Sequence, residues 1–234
     1  MTNAPRGMHT WQAIDGTRYI ATGSNNQLFA ALASNTTYDI TPAGFTAGGV
    51  DAVFNDGYGY GPYGREAYGT PRTTRTLTEA ATWSLDNWGE YLVACSPADG
   101  KLYEWQLNGA VAAAAIANAP VDNLGLIVTE ERFLFALGAG GNPRKLQWSD
   151  REDNTTWTPA STNEAGDIEL QSAGEIQTAI RTRGQTLILT TTSAHTARYI
   201  GPPYVYSVER VGTSCGVIAR SAVADVDAGT FWMG

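Results

Sequence analysis

Apolar and polar residues alternate over short spans along this chain. Almost nowhere do apolar positions recur at the three- and four-residue spacing of an amphipathic helix. Most ordered-looking segments are short, β-branched or aromatic, and bounded by Gly, Asn, Asp or Pro. On these grounds 185–192 (QTLILTTT), 132–137 (RFLFAL) and 91–94 (YLVA) read as strands. The alanine-rich stretch 110–117 fits a helix or a strand equally. Alanine is the best helix former, but eight residues are marginal as an isolated helix.

The pattern repeats. Five stretches, at 4–23, 78–95, 119–137, 172–191 and 214–234, share one plan: an alternating segment, a short polar turn, then a hydrophobic strand. Their central pairs Ile20-Ala21, Leu92-Val93, Leu134-Phe135, Leu187-Ile188 and Phe231-Trp232 can be set in register, at steps of 72, 42, 53 and 44 residues. Three of these steps lie near the roughly 40 to 50 residues of a four-stranded propeller blade. The long first step contains an odd segment at 55–75. A second strand follows in four units, at 27–30, 101–105, 144–148 and 196–200, each after a turn. Asp99-Gly100 and Gly141-Asn142 are turn residues because both tolerate positive φ.

The expected fold is therefore all-β and β-propeller-like, built of repeated four-stranded blades in a single domain over 1–234. The repeat units lie near 4–54, 78–118, 119–171, 172–213 and 214–234, with 55–77 a Gly/Tyr-rich inserted loop. The last unit stops at Phe231-Trp232-Met233-Gly234, short of its own hairpin, so the propeller is either incomplete, with an open edge there, or completes its last blade by another route.

Composition narrows the function. The 234 residues are 43% hydrophobic, which is too apolar for disorder. Only 16% are charged, against roughly 25% in an ordinary soluble domain. No apolar run reaches the roughly 18 residues of a membrane helix, so no membrane insertion is expected. No basic, apolar, small-residue leader opens the sequence, so no secretory signal is expected. Twenty-three acids against 15 bases give a net charge of −8. A phosphate-tracking surface is normally basic, so sequence-specific nucleic-acid binding is not expected.

Candidate chemistry is sparse. The two histidines, His9 and His195, are far apart, and no Gly-x-Ser-x-Gly elbow appears. His195 falls in Ser193-Ala194-His195-Thr196, which reads as a hairpin turn, so a surface or packing role is expected. Cys95 and Cys215 read as buried free thiols. Asp150, Glu152 and Asp153 with Asn154 read as a turn, with a Ca²⁺ site the alternative. No catalytic residue, metal site or other cofactor is expected, and the chain is expected not to be an enzyme. Trp83, Trp88, Trp105, Trp148, Trp157 and Trp232 fall at or near repeat positions and read as packing between blades. The alternating Gly/Tyr segment offers Tyr58, Tyr60, Tyr63, Arg65, Tyr68 and Arg72 as an interface loop, because Tyr and Arg are enriched at binding hot spots.

Four stretches carry a resemblance. They are GTRYIATGSNNQLFAALASNTTYDITPAGF, GYGYGPYGREAYGTPR, WSLDNWGEYLVACSPADGKLYEWQ, and LQWSDREDNTTWTPASTNEAGDIELQSAGEI followed by ARYIGPPYVYSVERVGTSCGVIARSAV. Taken in this order they resemble the bacteriophage tail and head–tail assembly proteins of β-propeller type, including the tail nozzle or tubular tail proteins of short-tailed phages. Trp148-Ser149-Asp150, Trp157-Thr158-Pro159 and Ala165-Gly166 are the most specific part. The resemblance implies a structural virion protein in the tail, assembled in the host cytoplasm. It would form a ring with copies of itself, beside other tail or portal and adaptor proteins, and DNA would pass through that ring. An acidic wall would let DNA slide. The alternative is a carbohydrate- or receptor-binding propeller of the phage tail that uses exposed aromatics.

Overall fold

A computed structural model describes residues 3–54, 77–78 and 80–234. The chain is all-β, as the alternation predicts. The first sheet is a meander of β1 (Gly7–Gln12), β2 (Arg18–Gly23), β3 (Leu28–Leu32) and β4 (Thr37–Asp39). A short hairpin of β5 (Val53–Phe54) and β6 (Leu77–Thr78) follows. The second sheet comprises β7 (Ser84–Trp88), β8 (Tyr91–Cys95), β9 (Leu102–Trp105) and β10 (Ala114–Ala115). The third comprises β11 (Gly125–Val128), β12 (Leu134–Leu137), β13 (Lys145–Trp148) and β14 (Gly166–Glu169). The fourth comprises β15 (Ile176–Thr182), β16 (Gln185–Thr190), β17 (Ser193–Gly201) and β18 (Val205–Thr213). A two-stranded sheet of β19 (Val223–Val226) and β20 (Gly229–Trp232) ends the chain. All pairings within these sheets are antiparallel. The aligned pairs of the five sequence stretches all fall on the second strand of a sheet: β2, β8, β12, β16 and β20.

The sheets stack in chain order, first strand against first strand: β1 touches β7, β7 touches β11, β11 touches β15 and β15 touches β19. Each gap between neighbouring sheets holds one apolar cluster. Tyr19, Ala21, Leu92, Ala94 and Trp105 fill the first gap; Trp88, Val93, Cys95, Leu134 and Ala136 fill the second. Phe133, Phe135, Leu137, Ile188 and Tyr206 fill the third, and Leu187, Leu189, Ala194 and Val217 the fourth.

This explains the unbroken apolar runs of β8, β12 and β16. Successive side chains of a strand point to opposite faces, and both faces of these sheets are covered. Leu92 and Ala94 face the first sheet while Val93 and Cys95 face the third. The outermost sheets are covered on one side only. On β2, Ala21 is buried while Ile20 is 41% exposed; on β20, Phe231 is 62% exposed.

The stretch 110–117 resolves against the helix. Ala113 N–H goes to Ile40 O just past β4 (3.0 Å) and Ile116 N–H to Leu102 O on β9 (2.9 Å), so neither closes a helical turn. Only Ala113 is fully buried, so a helix here would have had no apolar stripe to cover. Five of the six tryptophans named above, Trp83, Trp88, Trp105, Trp148 and Trp157, are buried. Trp83, Trp105, Trp148 and Trp157 each donate the indole N–H to a backbone carbonyl. Trp232 is the half-exposed exception.

Cys95 is fully buried and Cys215 half-buried. Burial pushes the Cys95 thiol up to about 12, against the opposing charge of Arg220. One thiol equivalent is therefore expected to react with an aromatic disulfide reagent in the native protein, and a second only after denaturation. Two rapid native equivalents would contradict this packing.

Candidate functional site

The most chemically distinctive constellation sits at the rim of the fourth sheet, and it starts from one threonine. Thr190 ends β16 with its hydroxyl facing back toward the chain. Its Oγ1 accepts the backbone N–H groups of Ser193 (2.8 Å) and Thr192 (3.2 Å). A side chain that satisfies turn donors locally fixes where the turn lies. Here it confines the turn to residues 191–192, so β17 begins at Ser193. His195 is therefore not in a turn, as its Ser/Thr-rich surroundings suggest, but inside a strand and 4% exposed.

Its ring meets two hydroxyls. His195 Nε2 lies 2.8 Å from Ser172 Oγ and 3.1 Å from Ser193 Oγ, and Ser193 Oγ donates to Ser172 Oγ at 3.0 Å. Ser172 comes from the segment before β15. Burial holds the imidazole below its ordinary value of 6.5, and the nearby Arg210 guanidinium acts in the same direction. An imidazole nitrogen within hydrogen-bond distance of a serine hydroxyl is the geometry of a nucleophile and its base. The third member of such a set is missing: among the described residues, no carboxylate hydrogen-bonds the His195 ring. Because its folded pKa is lowered, His195 destabilises the native state as pH falls from about 6.5 toward that value, where unfolded chains take up the proton first. Stability by urea titration is expected to drop over that window in the native protein. In His195→Gln the drop should be smaller; an unchanged pH dependence would refute the burial.

A cleft of about 610 Å³ opens directly onto this network. Ser172 and Ser193 line it, with Thr192, Arg210, Thr213 and Ser214 among the surrounding walls. Residues 215–217 close one side, running beside the turn through Cys215 N–H to Thr192 O (3.3 Å) and Val217 N–H to Thr190 O (3.0 Å). A second cleft of about 460 Å³ lies between the outer edge of the second sheet and the β13–β14 connection. Glu104 and Asn154 hydrogen-bond each other there, and alanines of 112–117 form a wall.

The acidic cluster on the β13–β14 connection uses its oxygens locally. Asp150 Oδ1 accepts from Glu164 N–H (2.7 Å) and Arg151 N–H (2.8 Å). Asp153 accepts from Thr155 N–H, Thr155 Oγ1 and Thr156 Oγ1, and these bonds hold its carboxyl below the usual range. These contacts make the segment a hydrogen-bonded turn. Among the described residues no three His, Cys, Asp or Glu side chains converge as a metal site would require. His9 stacks on Trp11 and lies 2.5 Å from Asn87 Oδ1, joining β1 to β7 far from His195. The interface candidates Tyr58, Tyr60, Tyr63, Arg65, Tyr68 and Arg72 lie outside the described residues.

No protein-family model matches the chain, and no curated protein matches it. Solved structures do. Two crystal structures of an extracellular domain from B. thetaiotaomicron, one described as belonging to a hybrid two-component system and one to a one-component system, match with a TM-score of 0.46 and 14% identity. They cover 98% and 97% of this chain, which spans 31% and 30% of theirs.

This corrects the phage expectation. The matching structures are described as extracellular domains of a hybrid two-component or one-component system and not as virion proteins, and the tail-nozzle or head–tail role, the tail-borne receptor- or sugar-binding alternative, the DNA conduit and the virion location are withdrawn. At this TM-score the likeness transfers no function of its own. No helix among the described residues is long and apolar enough to cross a membrane. The Ser172–His195–Arg210 grouping was missed in the sequence because its members lie 23 and 15 residues apart with no motif between them. The one available signal was the density of Ser and Thr at 190–196.

Proposed function

We propose that this chain is a non-catalytic ligand-binding module built as an arc of β-propeller blades. The radial reading is supported by the first-strand-to-first-strand stacking of successive four-stranded meanders, each gap holding its own apolar cluster. The binding reading rests on one observation: the hydroxyl-lined cleft of the fourth sheet opens onto a closed, satisfied hydrogen-bond network and not onto a poised nucleophile. Ser172 Oγ and Ser193 Oγ share the one ring nitrogen of His195, and among the described residues no acid orients that imidazole. Convergent polar groups in a pre-formed concavity are how proteins hold a polar small molecule.

The test sets binding against catalysis. Hydrolysis of p-nitrophenyl acetate by the native chain should match that of Ser172→Ala. In the same samples, the His195 imidazole resonances should shift saturably with at least one member of a small polar-ligand panel. Ester hydrolysis lost in both Ser172→Ala and His195→Gln would overturn the binding reading in favour of a serine hydrolase.

A further inference from the structure

We propose that the cleft of the fourth sheet is an anion site that takes a small carboxylate, with Arg210 as its anchor and the Thr213 and Ser214 hydroxyls as neutral donors. The proposal rests on the reading of this cleft as a binding site and adds the chemical class of the ligand.

Most of the described basic residues are paired or stacked. Lys101 faces Asp99, Arg144 faces Glu169, Lys145 faces Asp167, and Arg181 faces Asp86. Arg132 lies over Trp88, and Arg151 over Tyr199. Arg18, Arg183, Arg198 and Arg210 have no carboxylate partner among the described residues, although the chain carries eight more acids than bases. Of these four, Arg210 is the one that lines the hydroxyl-rich cleft. Its neighbour Glu209 does not compensate it: adjacent strand residues point to opposite faces, and Glu209 accepts from Ser207 Oγ on its own side.

The surroundings suit an anion. The cleft wall is hydroxyl-rich, and hydroxyls donate to a carboxylate without bringing a competing negative charge. A guanidinium holds a planar carboxylate through two parallel N–H donors, which a lysine cannot do. Arg210 pairs across the strands with His195, so both cleft and network feel the same charge. A carboxylate on Arg210 would screen that charge from the imidazole. By linkage, the ligand then makes His195 easier to protonate, and His195 protonation strengthens ligand binding by the same factor.

The experiment is a titration of the full chain with glucuronate, with glucose as the uncharged control, followed by the imidazole nitrogens of His195 and by calorimetry. Glucuronate is expected to bind saturably and to raise the titration midpoint of His195. Arg210→Gln should weaken glucuronate at least tenfold. Arg198→Gln, which removes another exposed arginine of the same sheet away from the cleft, should change it less than twofold. Ser214→Ala provides a second, milder lesion. Equal binding of glucose and glucuronate, unaffected by Arg210→Gln, would overturn the anion assignment while leaving a polar binding site. Binding of neither compound would overturn both.

Discussion

Trp105→Ala is expected to lower the stability of the chain by about 3–5 kcal/mol, the range found when a buried large aromatic is truncated. The midpoint of urea unfolding should fall with an unchanged slope. Trp105 ends β9 and is 1% exposed. It reaches into the gap between the first two sheets, with Tyr19 edge-on at 5.8 Å and Tyr38 tilted at 6.4 Å. Its indole N–H is shared between Asn108 O (3.0 Å) and Val111 O (3.1 Å), which fixes the start of the segment that closes the second sheet. Trp105→Phe separates the two contributions. It keeps most of the apolar volume but leaves two carbonyls without this donor, which should cost about 1–3 kcal/mol. If both variants cost less than 1 kcal/mol, the first gap is not a packed core.

Much of this was legible in the sequence, and the reason is local. Alternation that becomes an unbroken apolar run, as in 91–94 and 132–137, marks strands buried on both faces, and such strands sit in the middle of the stack. Turn residues such as Asp99-Gly100 stood at the hairpins for backbone reasons, Gly100 adopting φ of 67°. The stretch 110–117 could not be decided locally, because what settles it is Ile40 O, more than seventy residues away. His195 was misplaced for a similar reason. Ser and Thr suit turns and strands alike, and which of them closes the turn depends on where the Thr190 hydroxyl points. The cleft itself was illegible, since it is formed by residues from the segment before β15, the turn of β16–β17 and the end of β18.

The second large effect is expected at Asp86, which no pattern marked. Asp86 lies on β7 and its side chain is 7% exposed. Oδ2 accepts Val128 N–H on β11 at 2.8 Å; Oδ1 accepts Asn87 N–H at 2.8 Å and an Arg181 Nη2 donor on β15 at 2.9 Å. One carboxylate thus joins the first strands of three successive sheets, through partners 42 and 95 residues away. Asp86→Ala should cost about 3–5 kcal/mol, because it strands a buried backbone donor and breaks an ion pair whose other members stay in place. Arg181→Ala should cost less, about 1–2 kcal/mol, because the arginine side chain is 47% exposed and water screens its share of the pair. The two backbone donors also remain on the carboxylate. A double-mutant cycle in urea then isolates the ion pair from the Val128 bond. A large coupling would make the Arg181 contact the main tie between the second and fourth sheets. A coupling near zero with a large Asp86→Ala cost would assign the effect to the Val128 N–H, so that the carboxylate acts chiefly as a splice between the second and third sheets.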